Sequence, residues 1–300
     1  MGGGLPVRLP ACGREPRVRL SAALGRYPHT AALLDGRVAS PLVALDIQEV
    51  KPISRAFAPM VREGRYDVSE MAIATFLMAK AWGKPLVLLP VCVAARFQEA
   101  ALLCRAGSAI SGPEDLRGKR VGVRAYSQTT GLWLRGRMAE AHGVRPEEIA
   151  WVTFEDAHVA EYRDPPFVER AAPGQEMLAM LKAGALDAAV FGNDTPADPA
   201  LRTVFPDPDA AGRAFLAAHG FVPVNHLVVV RQSLAREAPE VVAEIVRMLR
   251  EAAGEAALPQ GRAALSPAID LAARYALDQG LLPRGMGLEE AWDGLPPGIG

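Results

Sequence analysis

Short apolar runs and segments with helical spacing alternate along almost the whole chain. Residues 18–24, 42–50, 66–71, 86–93 and 100–105 read as strands, the fourth of them strongly apolar. Between them the pattern predicts a short helix at 31–34 stopped by Asp35-Gly36, a helical run at 53–61 ended by Arg62-Glu63-Gly64, and a helix at 72–82. Gly, Ser and Pro punctuate 107–118, with Pro113-Glu114-Asp115-Leu116 as a single helical turn. Arg120-Val121-Gly122-Val123 then predicts a buried strand and Tyr126-Ser127-Gln128-Thr129-Thr130 a polar turn. Leu132, Trp133 and Met138 mark a helical face after it. Further strands are predicted at 149–154, 186–191, 201–205 and 222–230, with helices at 174–183, 210–219, 234–257 and 269–280. Residues 155–172 are polar and proline-broken and read as a loop, 193–199 as a turn-rich crossing, and the tail from Leu282 as irregular.

Strands alternating with helices imply an α/β architecture with mostly parallel sheets. Such sheets place ligand-binding loops at the carboxyl ends of their strands. A chain that leaves one lobe near 105 and returns near 205 gives lobe 1 from 17–105 plus 206–300 and lobe 2 from 106–205, with a cleft between. This hinge-closing design suits a small molecule.

Composition narrows the partners. Of the 300 residues half are hydrophobic, and the net charge is −1. There is no electrostatic case for nucleic acid or an anionic membrane, and aromatics, at 6%, are too sparse for base-stacking platforms. Cys12, Cys92 and Cys104 are widely spaced with no CxxC pair. They fit reduced thiols better than a disulfide frame or zinc site, and Cys92 and Cys104 fit buried packing positions. Residues 1–16 lack an apolar export core and read as a disordered leader. No run reaches the roughly 18 apolar residues of a membrane span, so a cytoplasmic location is expected. A homo-oligomer is compatible with the sequence.

The stretch 119–136 carries the densest polar chemistry. Ser127, Thr129 or Thr130 can cap the helix that follows, and the free N–H groups of a helix start attract anions. An ordinary strand–turn–helix would look similar. The four hydroxyls, one of them the Tyr126 phenol, and the amide of Tyr126, Ser127, Gln128, Thr129 and Thr130 favour a turn that faces a ligand.

Four segments together, Tyr66-Asp67-Val68-Ser69-Glu70-Met71, Gly118-Lys119-Arg120-Val121-Gly122-Val123, Trp133-Leu134-Arg135-Gly136 and Val222-Pro223-Val224-Asn225-His226, resemble the 4,5-dihydroxyphthalate decarboxylase family. The resemblance runs from about residue 18 to about 250. It implies a two-lobe type II periplasmic-binding-protein-like α/β fold and a cofactor-independent decarboxylase acting on a hydroxylated aromatic carboxylic acid. The family commonly carries a run of the form Arg-Phe-Phe-Arg-His after its fourth strand. Here that place reads Arg96-Phe97-Gln98-Glu99-Ala100, which points to a different preference in the acid bound.

Aromatic decarboxylation needs the departing carboxylate held out of conjugation, ring charge stabilised and a proton delivered to the ring carbon. Ring hydroxyls assist, so no cofactor is required. His226 is the candidate proton donor, because histidine ordinarily titrates near neutrality; a core histidine satisfied by a carbonyl is the plain alternative. Glu70 could orient His226 or accept a hydroxyl, or simply favour a helix start. His29, beside Tyr27 and Thr30, could wall the cleft. Arg96 is the candidate carboxylate clamp, with Tyr126, Ser127, Gln128, Thr129 and Thr130 as neutral donors. Trp133 is expected in the core, and Asn193 and Asp194 at the hinge. No metal-binding spacing, Gly-x-Ser-x-Gly elbow or dinucleotide fingerprint occurs. The competing reading is a non-catalytic solute-binding protein or sensor for a small organic anion, since one fold serves both roles. A pyrimidine- or amine-synthesis enzyme on this scaffold is a third reading, which the absence of Cys and His clusters disfavours.

Overall fold

The computed structural model describes residues 18–192 and 195–300; the leader, Cys12, Asn193 and Asp194 lie outside the described residues. Strands β1 (Val18–Ala23), β2 (Val43–Ile47), β3 (Val68–Ala72) and β4 (Leu86–Ala95) come first. The chain continues through β5 (Leu102–Arg105), β6 (Arg120–Val123), β7 (Ala150–Thr153), β8 (Val168–Arg170), β9 (Ala188–Val190) and β10 (Leu201–Thr203), then β11 (Val224–Arg231). Helices α1 (Ala31–Leu34), α2 (Phe57–Glu63) and α3 (Ile73–Ala81) alternate with the first strands, and α4 (Thr129–His142) and α5 (Met177–Ala183) with the middle ones. Helix α6 (Pro208–His219) precedes β11, and α7 (Gln232–Glu237), α8 (Pro239–Ala253), α9 (Arg262–Asp278) and α10 (Leu288–Ala291) follow it.

Two sheets result, a five-stranded one ordered β2-β1-β3-β11-β4 and a six-stranded one ordered β10-β5-β9-β6-β7-β8. The βα repeats pair in parallel, β1 with β2 and β3, and β6 with β7 and β9. The strands that carry the chain between sheets run antiparallel: β11 to β3 and β4, and β5 to β9 and β10. Residues Leu102–Arg105, predicted to end the first lobe, therefore pair in the second sheet. An apolar run has the same pattern in either sheet, and only its distant partners decide where it pairs.

Apolar residues from both sheets share one continuous core, with Phe57, Phe76, Trp133, Trp151 and Tyr275 fully or almost fully buried in it. Trp133 packs there as predicted, its indole N–H donating to the Val224 carbonyl at 2.8 Å. Gly136 on α4 has no side chain because a Cβ would run into the Tyr275 ring of α9. Cys92 and Cys104 are buried free thiols, and burial pushes Cys92 up to about 12. The helix predicted at 234–257 is broken at Ala238, which is held out of the helical region (φ −143°, ψ 62°). Pro239 supplies no N–H and crowds the residue before it, so it starts α8 instead of continuing α7. No helix among the described residues is long and apolar enough to cross a membrane.

Candidate functional site

Strand β3 supplies Glu70 and β11 supplies His226. Their antiparallel register sets Glu70 opposite Val228 and Ala72 opposite His226, which makes the carboxylate and imidazole diagonal neighbours. Nδ1 of His226 lies 2.6 Å from Oε1 of Glu70. The same oxygen accepts the Tyr27 hydroxyl at 2.7 Å, and Oε2 accepts the Gly25 amide at 2.8 Å. A Cβ on Gly25 would fall 2.7 Å from the Tyr27 ring, so glycine is what lets the phenol fold over the carboxylate.

Glu70 is fully buried. Burial alone would push its carboxyl up, but the bonds from His226, Tyr27 and Gly25 outweigh it and hold the group below the usual carboxylate range. Burial, and then the Glu70 charge, push the Tyr27 phenol well above its ordinary value, so it stays a donor. With the carboxylate ionised, the proton on Nδ1 is fixed and Nε2 of His226 is left for a ligand. The structure places Glu70 within hydrogen-bond reach of His226 and has it accept a hydroxyl, that of Tyr27.

His226 lines a cavity of about 870 Å³ between the sheets, a size typical of small-molecule sites. His29 shares its wall. The ring bonds the Val93 carbonyl through Nε2 at 2.9 Å, which requires the proton on that nitrogen, and it stacks on Tyr27 at 5.2 Å. Arg96, just past the end of β4, also lines the cavity and donates to Oγ1 of Thr130 at 3.2 Å, joining the two lobes.

The start of α4 forms the facing wall with Ser127, Gln128, Thr129 and Thr130. The predicted side-chain cap is absent among the described residues: Gln128 is the N-cap and makes no capping bond. Oγ1 of Thr129 instead accepts the Ala74 amide in the first turn of α3, at 3.3 Å. Helices α3 and α4 begin side by side, so the hydroxyl serves its neighbour, and two positive helix ends converge on the cavity. The buried Oε1 of Gln128 has no hydrogen-bond partner among the described residues.

Tyr126, expected among the ligand-facing donors, is not on the wall. It is buried, with the Arg135 guanidinium 3.9 Å from its ring centroid and Trp151 and Phe167 edge-on to it. Arg135 also holds the Tyr126 carbonyl at 2.6 Å, which turns the ring into the core of the second lobe. Gln98 and Glu99, where the sequence departs from the family run, are also buried away from the cavity. Gln98 exchanges two hydrogen bonds with Asn225, at 2.9 and 3.3 Å. Burial pushes the Glu99 carboxyl up.

The cavity gains residues that periodicity did not flag. Arg55, Arg62 and Arg124 line it with Arg96, against the acids Glu155 and Asp156. The cationic surplus and the paired helix starts favour an anionic ligand. His158, in the loop after β7, enters from the second lobe, with Nδ1 2.8 Å from Oγ1 of Thr75. Burial, then the charges of Arg124, Arg62 and His226, lower it from its ordinary 6.5 to about 4. Between those values the unfolded chain binds a proton that the folded chain refuses, so stability falls as pH drops through that window. The expected loss is about 3 kcal/mol, seen as a lower urea midpoint at pH 4.5 than at pH 7 and largely absent in His158→Gln. The Glu70 shift is also downward: its contribution to stability is present above the usual carboxylate range and is lost only as pH falls below that range.

The comparisons with known proteins agree with this architecture. The NMT1/THI5 like family matches residues 43–165. A 4,5-dihydroxyphthalate decarboxylase of Comamonas testosteroni is 28% identical over 255 residues, covering 77% of this chain and 73% of that protein. One of Pseudomonas putida is 30% identical over 220 residues, covering 66% of this chain and 83% of that protein. A putative periplasmic sulfonate-binding protein of Methylobacillus flagellatus superposes with a TM-score of 0.55 at 13% identity, over 93% of this chain and 92% of that one, which establishes the two-lobe periplasmic-binding-protein-like fold. With the extent of the match to the Pseudomonas putida protein, the chain belongs to the 4,5-dihydroxyphthalate decarboxylase family.

Proposed function

We propose that the protein decarboxylates a hydroxylated aromatic carboxylic acid of the 4,5-dihydroxyphthalate kind, held between the lobes, with His226 as proton donor. The observation that carries this reading is the His226–Glu70 hydrogen bond at the cavity wall. A buried ionised carboxylate fixes the imidazole tautomer and stabilises the imidazolium.

Carboxylate groups of the substrate would lie against Arg96 and the starts of α3 and α4, where donors and positive charge are already in place. Protonated His226 then gives its Nε2 proton to the ring carbon bearing the departing carboxylate. The carbon–carbon bond breaks, carbon dioxide leaves, and the electron pair restores the aromatic ring. Glu70 remains ionised and offsets the charge on the imidazole before transfer. Proton transfer of this kind is worth about 100- to 10,000-fold in rate. The buried positions of Gln98 and Glu99 leave Arg55, Arg62 and Arg124 as the cations that set which second substituent is accepted.

Incubation of the protein with 4,5-dihydroxyphthalate and related hydroxylated acids, following carbon dioxide and ring absorbance, tests the reading. Saturable release supports it. Thermal stabilisation by these acids with no product would favour the solute-binding alternative, which the same fold serves in the Methylobacillus flagellatus protein's description.

A further inference from the structure

Besides His226 and His29, the cavity holds a third imidazole, His158, to which the mechanism above gives no part. His158 and His226 stand in different lobes, yet both lie edge-on to the ring of Phe57. The centroids are 5.7 and 5.2 Å from that ring, at an interplanar angle of 85° in each case. The two imidazoles are therefore separated by no more than the sum of those distances. Both line the one cavity, so a single aromatic ring seated there can face both.

The position of His158 is built rather than incidental. Its Nδ1 is engaged by Thr75 of α3, leaving Nε2 as the nitrogen for a ligand. Its backbone carbonyl and that of Ala157 are gripped by Arg62 of α2, at 2.8 and 2.7 Å. A loop histidine is thus fixed in the cavity by two elements of the other lobe. Burial and the neighbouring guanidinium charges hold the ring neutral in the empty cavity, with a nitrogen lone pair for a ligand's proton.

We propose that His158 is a second catalytic group, which accepts the proton of the ring hydroxyl para to the departing carboxylate while His226 protonates the carbon bearing it. The inference rests on the decarboxylase reading and deepens it. In 4,5-dihydroxyphthalate each carboxylate has a hydroxyl para to it, so the ring satisfies both groups at once. As the O–H bond breaks toward His158, oxygen electrons move into the ring and the carbon opposite takes the proton from His226. Loss of carbon dioxide returns the carboxylate's electron pair to the ring, and the hydroxyl regains its proton from His158. The balance is one carboxylate and one proton consumed, one C–H bond and one carbon dioxide formed. His226 is recharged from solvent. Burial, the largest influence on the ring, stays in place, but a seated dianionic acid offsets the charges of Arg124 and Arg62 and so makes His158 a stronger base than in the empty cavity.

The test compares wild type with His158→Gln on 4,5-dihydroxyphthalate, and measures the binding of phthalate, which has no ring hydroxyl, to both. The expected result is a kcat about 100- to 10,000-fold lower in the variant with phthalate affinity unchanged. A ring fluorine that acidifies the para hydroxyl should then speed the variant relative to wild type, because it replaces part of what His158 supplies. A purely structural residue would not show that selectivity. Thr75→Val, which keeps the imidazole and removes its tether, should lower kcat by a smaller factor at unchanged KM. It serves as the readout if His158→Gln does not fold. Unchanged kcat, a parallel loss of phthalate binding, or an equal fluorine effect in both proteins would overturn the role of His158 while leaving the decarboxylase reading intact. Absence of carbon dioxide release by wild type would overturn the decarboxylase reading itself.

Discussion

Replacing His226 with glutamine is expected to lower kcat by about 100- to 10,000-fold, the usual worth of a positioned acid–base group. Phthalate affinity should change little. Its carboxylates would rest on Arg96 and the two helix starts, neither of which depends on the imidazole. The variant should also fold. The His226 side chain keeps 14% exposure at the cavity wall, so an amide there can be solvated, and its oxygen or nitrogen can still meet Glu70. Steady-state kinetics and phthalate titration on one preparation check this. A parallel fall in binding and turnover would mean that His226 positions the ligand instead of protonating it.

Glu70→Gln should be almost as damaging, for a different reason. The carboxylate receives three donors, the Gly25 amide on one oxygen and the Tyr27 hydroxyl and His226 Nδ1 on the other. An amide has a single oxygen. If that oxygen stays with Tyr27 and His226, its NH₂ faces the Gly25 N–H and a buried bond is lost, at about 1–3 kcal/mol. If it turns toward Gly25, its NH₂ forces Nδ1 of His226 to accept, and the proton moves to Nε2 in the wrong tautomer for recharging. Removing the equivalent orienting carboxylate from a catalytic histidine in a serine protease costs about 10,000-fold in kcat. A loss between that figure and about 100-fold is expected here, with a lowered melting temperature. Glu70→Asp should restore the charge but not the reach, and should sit between the variant and wild type in kcat.

Much of the fold was legible because apolar alternation and glycine or proline stops report local structure directly. Pairing partners are not local, and this is why Leu102–Arg105 was placed in the wrong sheet and a single helix was expected across Pro239. The site was legible where loops follow strands. His29, Arg96 and the turn at 127–130 reach the cavity because they follow the carboxyl ends of β1, β4 and β6, and His226 because the antiparallel β11 begins at that same edge. Tyr126 sits in the same turn but follows Arg135 into the core, and a side chain's direction is settled by packing that the sequence does not display. His158 was hidden by its surroundings, a polar, proline-broken loop without periodicity. Thr75 and Arg62, both from the other lobe, fix its place. Gln98 and Glu99 looked like changes in ligand contacts and are instead buried behind the wall.

The most direct test of the central claim is a single-turnover measurement of carbon dioxide release from 4,5-dihydroxyphthalate, with enzyme in excess, for wild type and His226→Gln side by side. Release by wild type that slows by two orders of magnitude or more in the variant, about the lower bound for a general acid, is the predicted result. Release at the same rate from both proteins, or from neither while both bind the acid, would contradict it.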